Sequence, residues 1–339
     1  MLDKNASIAI AGAGNIGCYV GGCLALGGRT VTLLARPGVA AGIRNHGFQV
    51  TDLDGRDRHL AAAQAMVTGD PAVAFAAADV ILVTVKSGAT AGMAALIAEH
   101  ARKNAVVVSL QNGVGNIDVL RSHAGDRRFL PGMVPFNVVR FEGPPLRFHR
   151  ATEGTVLIGE GMAGLAELLS VEGCMVKTHA DMKAVAWGKL LLNLNNALVA
   201  LSDLPLATEL SDRRWRRVLA TQIAEGLAVL KAAGIRPAGG VGAPPSLLPT
   251  ILRLPDWIYT RLARRMLEID PQARSSMWDD LQRGRLTEID ELQGAIVALA
   301  HGTNVATPLS NRIIALVHAA ETARRGSPGL PPEHIVPDA

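Results

Sequence analysis

A chain of 339 residues with 49 % hydrophobic residues is longer than one small domain needs and rich enough to bury two cores, which excludes disorder over most of its length. The net charge of +4 raises nucleic acid as a partner, but 4 % aromatic residues leave little for base stacking. The arginines (Arg213, Arg214, Arg216, Arg217, then Arg261, Arg264, Arg265) fall in separate helical stretches among acids, the pattern of solvated helix faces.

Three cysteines, Cys18, Cys23 and Cys174, have neither metal-ligand spacing nor a disulfide framework, which fits a reducing compartment. The opening "MLDKNASIAIAG" enters a strand with no charge-then-apolar leader, and the apolar run Ala72–Val85 carries Asp79 and is short for a membrane span. A soluble cytoplasmic protein is expected, with no membrane, nucleic-acid or metal partner; its oligomeric state is left open, a homodimer included.

In chain order, Ser7–Ala11 reads as a strand, Gly14–Gly27 as a helix and Thr30–Ala35 as a second strand. "FQVTDL" is a short strand and Ala78–Lys86 a buried one, followed by a helix near Ala89–Lys103 and the strand Ala105–Gly113. The proline-marked segment Phe129–Glu160 reads as hairpins extending the sheet, and Cys174–Ala180 as a last strand. Strands rich in β-branched residues and spaced by helices predict a parallel sheet covered on both faces. Beyond Asp181 no strand pattern remains; Arg236–Pro249 is the clearest loop and "RRGSPGLPPEHIVPDA" reads as a frayed tail. The expected organisation is a doubly wound α/β domain over 1–180, an all-helical domain over 181–325 and a tail over 326–339. A cleft between such domains is a common place for a substrate.

Three constellations carry chemistry. The first is "GAGNIG", Gly12–Gly17, where the first strand turns into the first helix. Gly12 permits the turn, Gly14 lets backbone approach a pyrophosphate, and Gly17 permits close helix–strand contact, so phosphates would meet free N–H groups at the positive end of the helix dipole. The spacing within a strand–turn–helix unit marks a Rossmann-type dinucleotide domain. Arg36 ends the second strand where an acid would favour a ribose hydroxyl; an arginine favours a 2′-phosphate instead, and Lys86 could reach the same end. That is a reading of NADP(H), set against two solvated strand ends.

The second is Lys189, Asn193 and Asn196, spaced i, i+4 and i+7 in "WGKLLLNLNNALVALSD" and so within about 60° of one another on one helical face. They serve either as polar glue between helices or as a carbonyl-reducing site, with the lysine protonating a developing alkoxide and the asparagines orienting substrate. The third is "SSMWDDLQRGRLTEIDEL", in which Ser276 with Asp279, and Thr287 with Asp290, have capping-box spacing, and Glu288 would sit in a first helical turn.

Taken in order, "GAGNIG", "VK", "QNGVGN", "WGKLLLN" and "SSMWDDLQRGRLTEID" resemble the ketopantoate reductase (2-dehydropantoate 2-reductase) family over residues 7–320. The resemblance implies reduction of 2-dehydropantoate to (R)-pantoate by NADPH, a step toward coenzyme A. It implies a cofactor site of Gly12, Ala13, Gly14, Asn15, Ile16 and Gly17 with Arg36, Lys86, Asn112 and the backbone of Val138. It also implies Lys189 as proton donor, Asn112, Asn193, Asn196 and Ser276 around the substrate, and Glu288 fixing the nicotinamide ribose and the lysine. The chain departs from the family at Ala197, where members have a second asparagine; Asn196 stands one position earlier. It also has a long Gly239–Asp270 segment. Reduction of another small 2-oxo acid, or a non-catalytic NADP(H)-binding sensor, are the alternative functions.

Overall fold

The computed structural model describes Asp3 and residues 5–239, 244–262 and 273–336. They form two compact units, Met1–Met182 and Lys183–Ala339.

The first unit holds β1 (Ile8–Ala11), β2 (Val31–Leu34), β3 (Phe48–Asp52), β4 (Asp57–Leu60), β5 (Met66–Thr68), β6 (Val80–Val83), β7 (Val106–Ser109), β8 (Arg128–Met133), β9 (Val138–Phe141), β10 (Leu146–Arg150), β11 (Val156–Gly159) and β12 (Val176–His179). The main sheet runs β12-β11-β8-β7-β6-β1-β2-β5, parallel from β8 through β5 and reversed at the β8–β11 pair. β1, β6 and β7 are buried along their whole length because both sheet faces are covered. Successive residues go to opposite faces: Ile8, Ile10, Leu82 and Val108 enter one core, and Ala9, Ala11, Ile81, Val83 and Val107 the other. This is the doubly wound, Rossmann-type arrangement.

The expectation that all of Phe129–Glu160 extends this sheet needs correction. β8 and β11 do join it, but β9 and β10 form a separate sheet ordered β4-β3-β10-β9. Phe148 of β10 meets Phe48 of β3 edge-on, with ring centroids 5.6 Å apart, in a register pairing Leu146 with Phe48. The small sheet forms because the helix Asn15–Leu26 is apolar on all sides. Gly21 packs on Ile10 and Leu33 of the main sheet, while Gly22 packs on Phe48 and Val50 of the small one.

Among the described residues the second unit holds helices and no strand: Met182–Asn193, Asn195–Ser202, Leu206–Ser211, Arg213–Ala232, Leu248–Arg253, Asp256–Leu262, Ser276–Gln282, Ile289–Ala300, Pro308–Ala323 and Pro332–Ile335. Together the first two make a 21-residue path, Met182–Ser202, that is long and apolar enough to cross a membrane, yet 72 % of its apolar stretch is buried inside the protein. The loop read at Arg236–Pro249 closes with a 3-10 turn at Pro245–Leu247 and yields to helix at Leu248; residues 240–243 lie outside the described residues, as do Arg264 and Arg265.

Two further expectations are overturned here. The Arg213–Arg217 run is not wholly solvated, because Arg216 is buried. Its guanidinium donates to the carbonyls of Leu210, Ser211, Leu252 and Leu254, pairs with Asp256 at 2.6 Å and lies 4.1 Å from the Tyr259 ring centroid. Nor is the tail frayed up to Val336: Leu330 donates its N–H to the Leu201 carbonyl, Glu333 pairs with Arg214, and Ile335 is fully buried. Ile335 supplies apolar surface that a polar composition conceals.

Candidate active site

In the first unit, the residues singled out for the cofactor gather at the C-terminal edge of the parallel sheet. β1 is flanked by β2 on one side and β6 on the other, so the chain crosses in opposite directions from it, and ligands of open α/β sheets bind where that reversal opens a crevice. Gly12 follows β1, Arg36 follows β2, and Lys86 follows β6.

Each glycine of the turn has its own physical reason. Gly12 has φ of +115°, and a Cβ there would strike Val85. A Cβ on Gly17 would lie 2.1 Å from the Gly12 carbonyl oxygen, so the helix packs on the turn only as glycine. Gly14 is different. A Cβ there meets nothing within 4 Å, so this turn faces open space. Gly14 is also the N-cap of Asn15–Leu26, with no capping side chain and no acid in the first turn. Its N–H groups fit an anion such as a pyrophosphate. Thr84 donates to the Gly12 carbonyl at 2.6 Å and ties the turn to the end of β6. The Asn15 amide donates to the Val138 carbonyl at 3.0 Å and ties the helix start to β9. Arg36 and Lys86 are both exposed.

Asn112 follows β7 in a loop held by a polar network. Its carbonyl accepts from Ser87 Oγ at 3.1 Å and Asn116 Nδ2 at 2.6 Å, while Gln111 donates to the Val85 carbonyl and to Thr90. Sequence reasoning passed over Thr84, Gln111 and Asn116. The signal for Gln111 was available: an amide just after a fully buried strand must find partners. On the glycine helix, burial pushes the Cys18 and Cys23 thiols up to about 12, so both serve as core side chains.

In the second unit, Lys189, Asn193 and Asn196 are all half-buried, between buried Leu190, Leu191, Leu194 and Ala197. Desolvation lowers the Lys189 ammonium to about 8 against the opposing pull of the Glu288 carboxylate. The helix is interrupted at Leu194, which keeps helical angles (φ −55°, ψ −28°), so the three residues stay on one stripe across the break. Ser276 is not the helix cap. Ser275 is: its Oγ accepts from the Trp278 N–H and donates to the Asn196 carbonyl. Ser276 is thus left exposed at the first helical position. Glu288 likewise stands one residue before its helix, at the N-cap of Ile289–Ala300, and its side chain makes no capping bond. Thr287 Oγ1 accepts from Ile289 N–H, so the box proposed for Thr287 and Asp290 is not formed. Among the described residues no cluster of His, Cys, Asp or Glu could hold a metal ion.

A Rossmann-type unit whose glycine turn suits an anion, joined in one chain to a helical unit with a desolvated lysine, is an arrangement that fits a nicotinamide-nucleotide oxidoreductase. Two family profiles identify which: "Ketopantoate reductase PanE/ApbA" matches residues 8–162 and "Ketopantoate reductase PanE/ApbA C terminal" residues 181–321. The 2-dehydropantoate 2-reductase of Halobacterium salinarum is 30 % identical over 321 residues, covering 93 % of this chain and 98 % of that protein. That of Archaeoglobus fulgidus is 26 % identical over 323 residues, covering 93 % and 98 %. The crystal structure of a PanE/ApbA family ketopantoate reductase from Ralstonia eutropha JMP134 matches with a TM-score of 0.79 and 29 % identity, covering 94 % of this chain and 99 % of that one. D-mandelate dehydrogenase, solved with NADH and anilino(oxo)acetate, shares the fold at a TM-score of 0.78, 23 % identity and the same coverage. The chain belongs to the ketopantoate reductase family, and it is an oxidoreductase acting on a CH–OH group.

Proposed function

We propose that the chain reduces 2-dehydropantoate to (R)-pantoate with NADPH, in the pathway toward pantothenate. The observation that carries this reading is the match to the ketopantoate reductase family across both units. In the second unit Lys189 is half-buried on one stripe with Asn193 and Asn196, its ammonium lowered to about 8 by desolvation against the pull of Glu288, as suits a proton donor at neutral pH. When bound, NADPH supplies the hydride that reduces the substrate carbonyl carbon. Gly12–Gly17 would hold its pyrophosphate on backbone N–H groups, Arg36 and Lys86 its 2′-phosphate, and Asn112 and the Val138 backbone its nicotinamide side. As negative charge develops on the carbonyl oxygen, the Lys189 ammonium stabilises it and then gives up its proton, leaving a neutral amine and a secondary alcohol. Asn193, Asn196 and Ser276 orient the substrate's hydroxyl and carboxylate. Glu288 keeps Lys189 charged until that moment and fixes the nicotinamide ribose.

The deciding experiment follows NADPH oxidation by the purified protein with 2-dehydropantoate beside other 2-oxo acids, aromatic ones included, and with NADH in parallel. A kcat/KM for 2-dehydropantoate above the rest by tenfold or more supports the reading; turnover of another 2-oxo acid alone reassigns the substrate. Lys189→Ala should lower kcat by roughly 10² to 10⁴ while NADPH binding changes little. Near-normal turnover would remove Lys189 from the chemistry.

A further inference from the structure

Gln293 is fully buried, and its presence in the core needs a reason. It lies on the Ile289–Ala300 helix beside Leu292 and Ile296, where a leucine would pack without the cost of desolvating an amide. Its Nε2 donates at 2.9 Å to the Leu194 carbonyl, the point at which the Met182–Ser202 path is interrupted. Leu194 donates its own N–H to the Leu190 carbonyl and is the N-cap of the next helix, so Gln293 grips the residue that joins the two helices. Lys189 and Asn193 lie just before this point, and Glu288 stands at the N-cap position of the helix that carries Gln293.

We propose that Gln293 is a positioning residue: by clamping the Leu194 carbonyl it fixes the helix headed by Glu288 against the helix bearing Lys189, so that carboxylate and ammonium stay matched. This rests on the reading of Lys189 as proton donor. The other charges at the head of that helix are engaged elsewhere. His318 bonds both Asp290 and Glu321, and Glu321 also accepts from the Thr287 N–H. Glu291 lies among these acids and feels the charges of Glu288, Asp290 and Glu321. Glu288 is the charge that acts on Lys189.

The test measures Lys189 without turnover, from the pH dependence of its acylation by acetic anhydride in the full-length protein, read by peptide mass spectrometry. Wild type should show a midpoint of about 8. Gln293→Met removes the donor; with Glu288 loosened, its upward pull weakens and the midpoint should fall. Turnover at pH 7 should fall with it, by roughly 2- to 150-fold, the span of coupling between neighbouring groups. Gln293→Asn, too short to reach the carbonyl, should move both in the same direction and serves if the methionine variant fails to fold. Gln293→Glu, kept neutral by burial, retains an O–H donor and should restore the midpoint. In a Glu288→Gln background, Gln293→Met should shift it no further. An unchanged midpoint in the Met or Asn variant, with only a lower Tm, would overturn the proposal and leave Gln293 as structural glue. Retained turnover in Lys189→Ala would instead sink the proton-donor reading, while the acylation midpoint still reports on the clamp.

Discussion

Lys189 carries the clearest pH dependence. With Lys189 as the proposed proton donor and its pKa lowered to about 8, reduction should slow as pH rises through about 8, rather than near the ordinary lysine value. A kcat–pH profile at saturating substrate checks this, and a profile flat to pH 10 contradicts it. Glu288→Gln removes the upward pull and should bring the alkaline limb to lower pH. The two neighbouring serines separate stability from binding. Ser275→Ala should cost about 1 kcal/mol of stability, as the loss of an N-cap does, with kinetics nearly intact. Ser276→Ala should instead raise the substrate KM and leave the melting curve in place. At Arg36, exchange for aspartate should weaken NADPH strongly and leave NADH equal or better, since a carboxylate repels the 2′-phosphate and accepts from ribose hydroxyls. Equal kcat/KM for the two cofactors in the unaltered protein would remove Arg36 from cofactor choice.

Among elements, the glycine turn and the Arg216 staple show what packing demands. Gly17→Ala sets a Cβ 2.1 Å from backbone oxygen, a clash that no side-chain rotation relieves. Either the helix moves off β1 or the turn reshapes; a loss of both Tm and NADPH affinity is the expected result, measured by melting with and without cofactor. Arg216 ties its own helix to two others, through the carbonyls of Leu210 and Ser211 on one and of Leu252 and Leu254 at the end of the other. Replacing it by leucine leaves those carbonyl acceptors without a donor, at roughly 1–3 kcal/mol, the cost of unsatisfied buried acceptors. Denaturant unfolding measures it. A change under 0.5 kcal/mol would show that water replaces the guanidinium.

For the whole molecule, the end of the chain matters more than its composition suggests. Deleting 326–339 removes buried Ile335 and the backbone bond from Leu330 to Leu201, at the end of the path that carries Lys189. A lower Tm is expected, along with faster proteolysis in the second unit; an unchanged melt would mean that Ile335 leaves no cavity behind.

The β–α alternation, the glycine turn and the lysine helix were legible in the residues because each depends on local spacing: period 2 or 3.6, and the conformations glycine alone permits. The family resemblance gave roles to Ser276, which spacing alone read as a helix cap, and to Glu288, which spacing alone placed in a first helical turn. Partners distant in the chain could not be read this way. That β9 and β10 leave the main sheet was settled by Phe148 meeting Phe48, and Arg216 joins the core only because four carbonyls and Asp256 converge on it from elsewhere. Gln293 looked like any helical glutamine until its amide met the Leu194 carbonyl 99 residues away. Spacing fixes what a residue offers, but only the folded chain decides which group answers it, since buried donors and acceptors are satisfied in space and not in sequence.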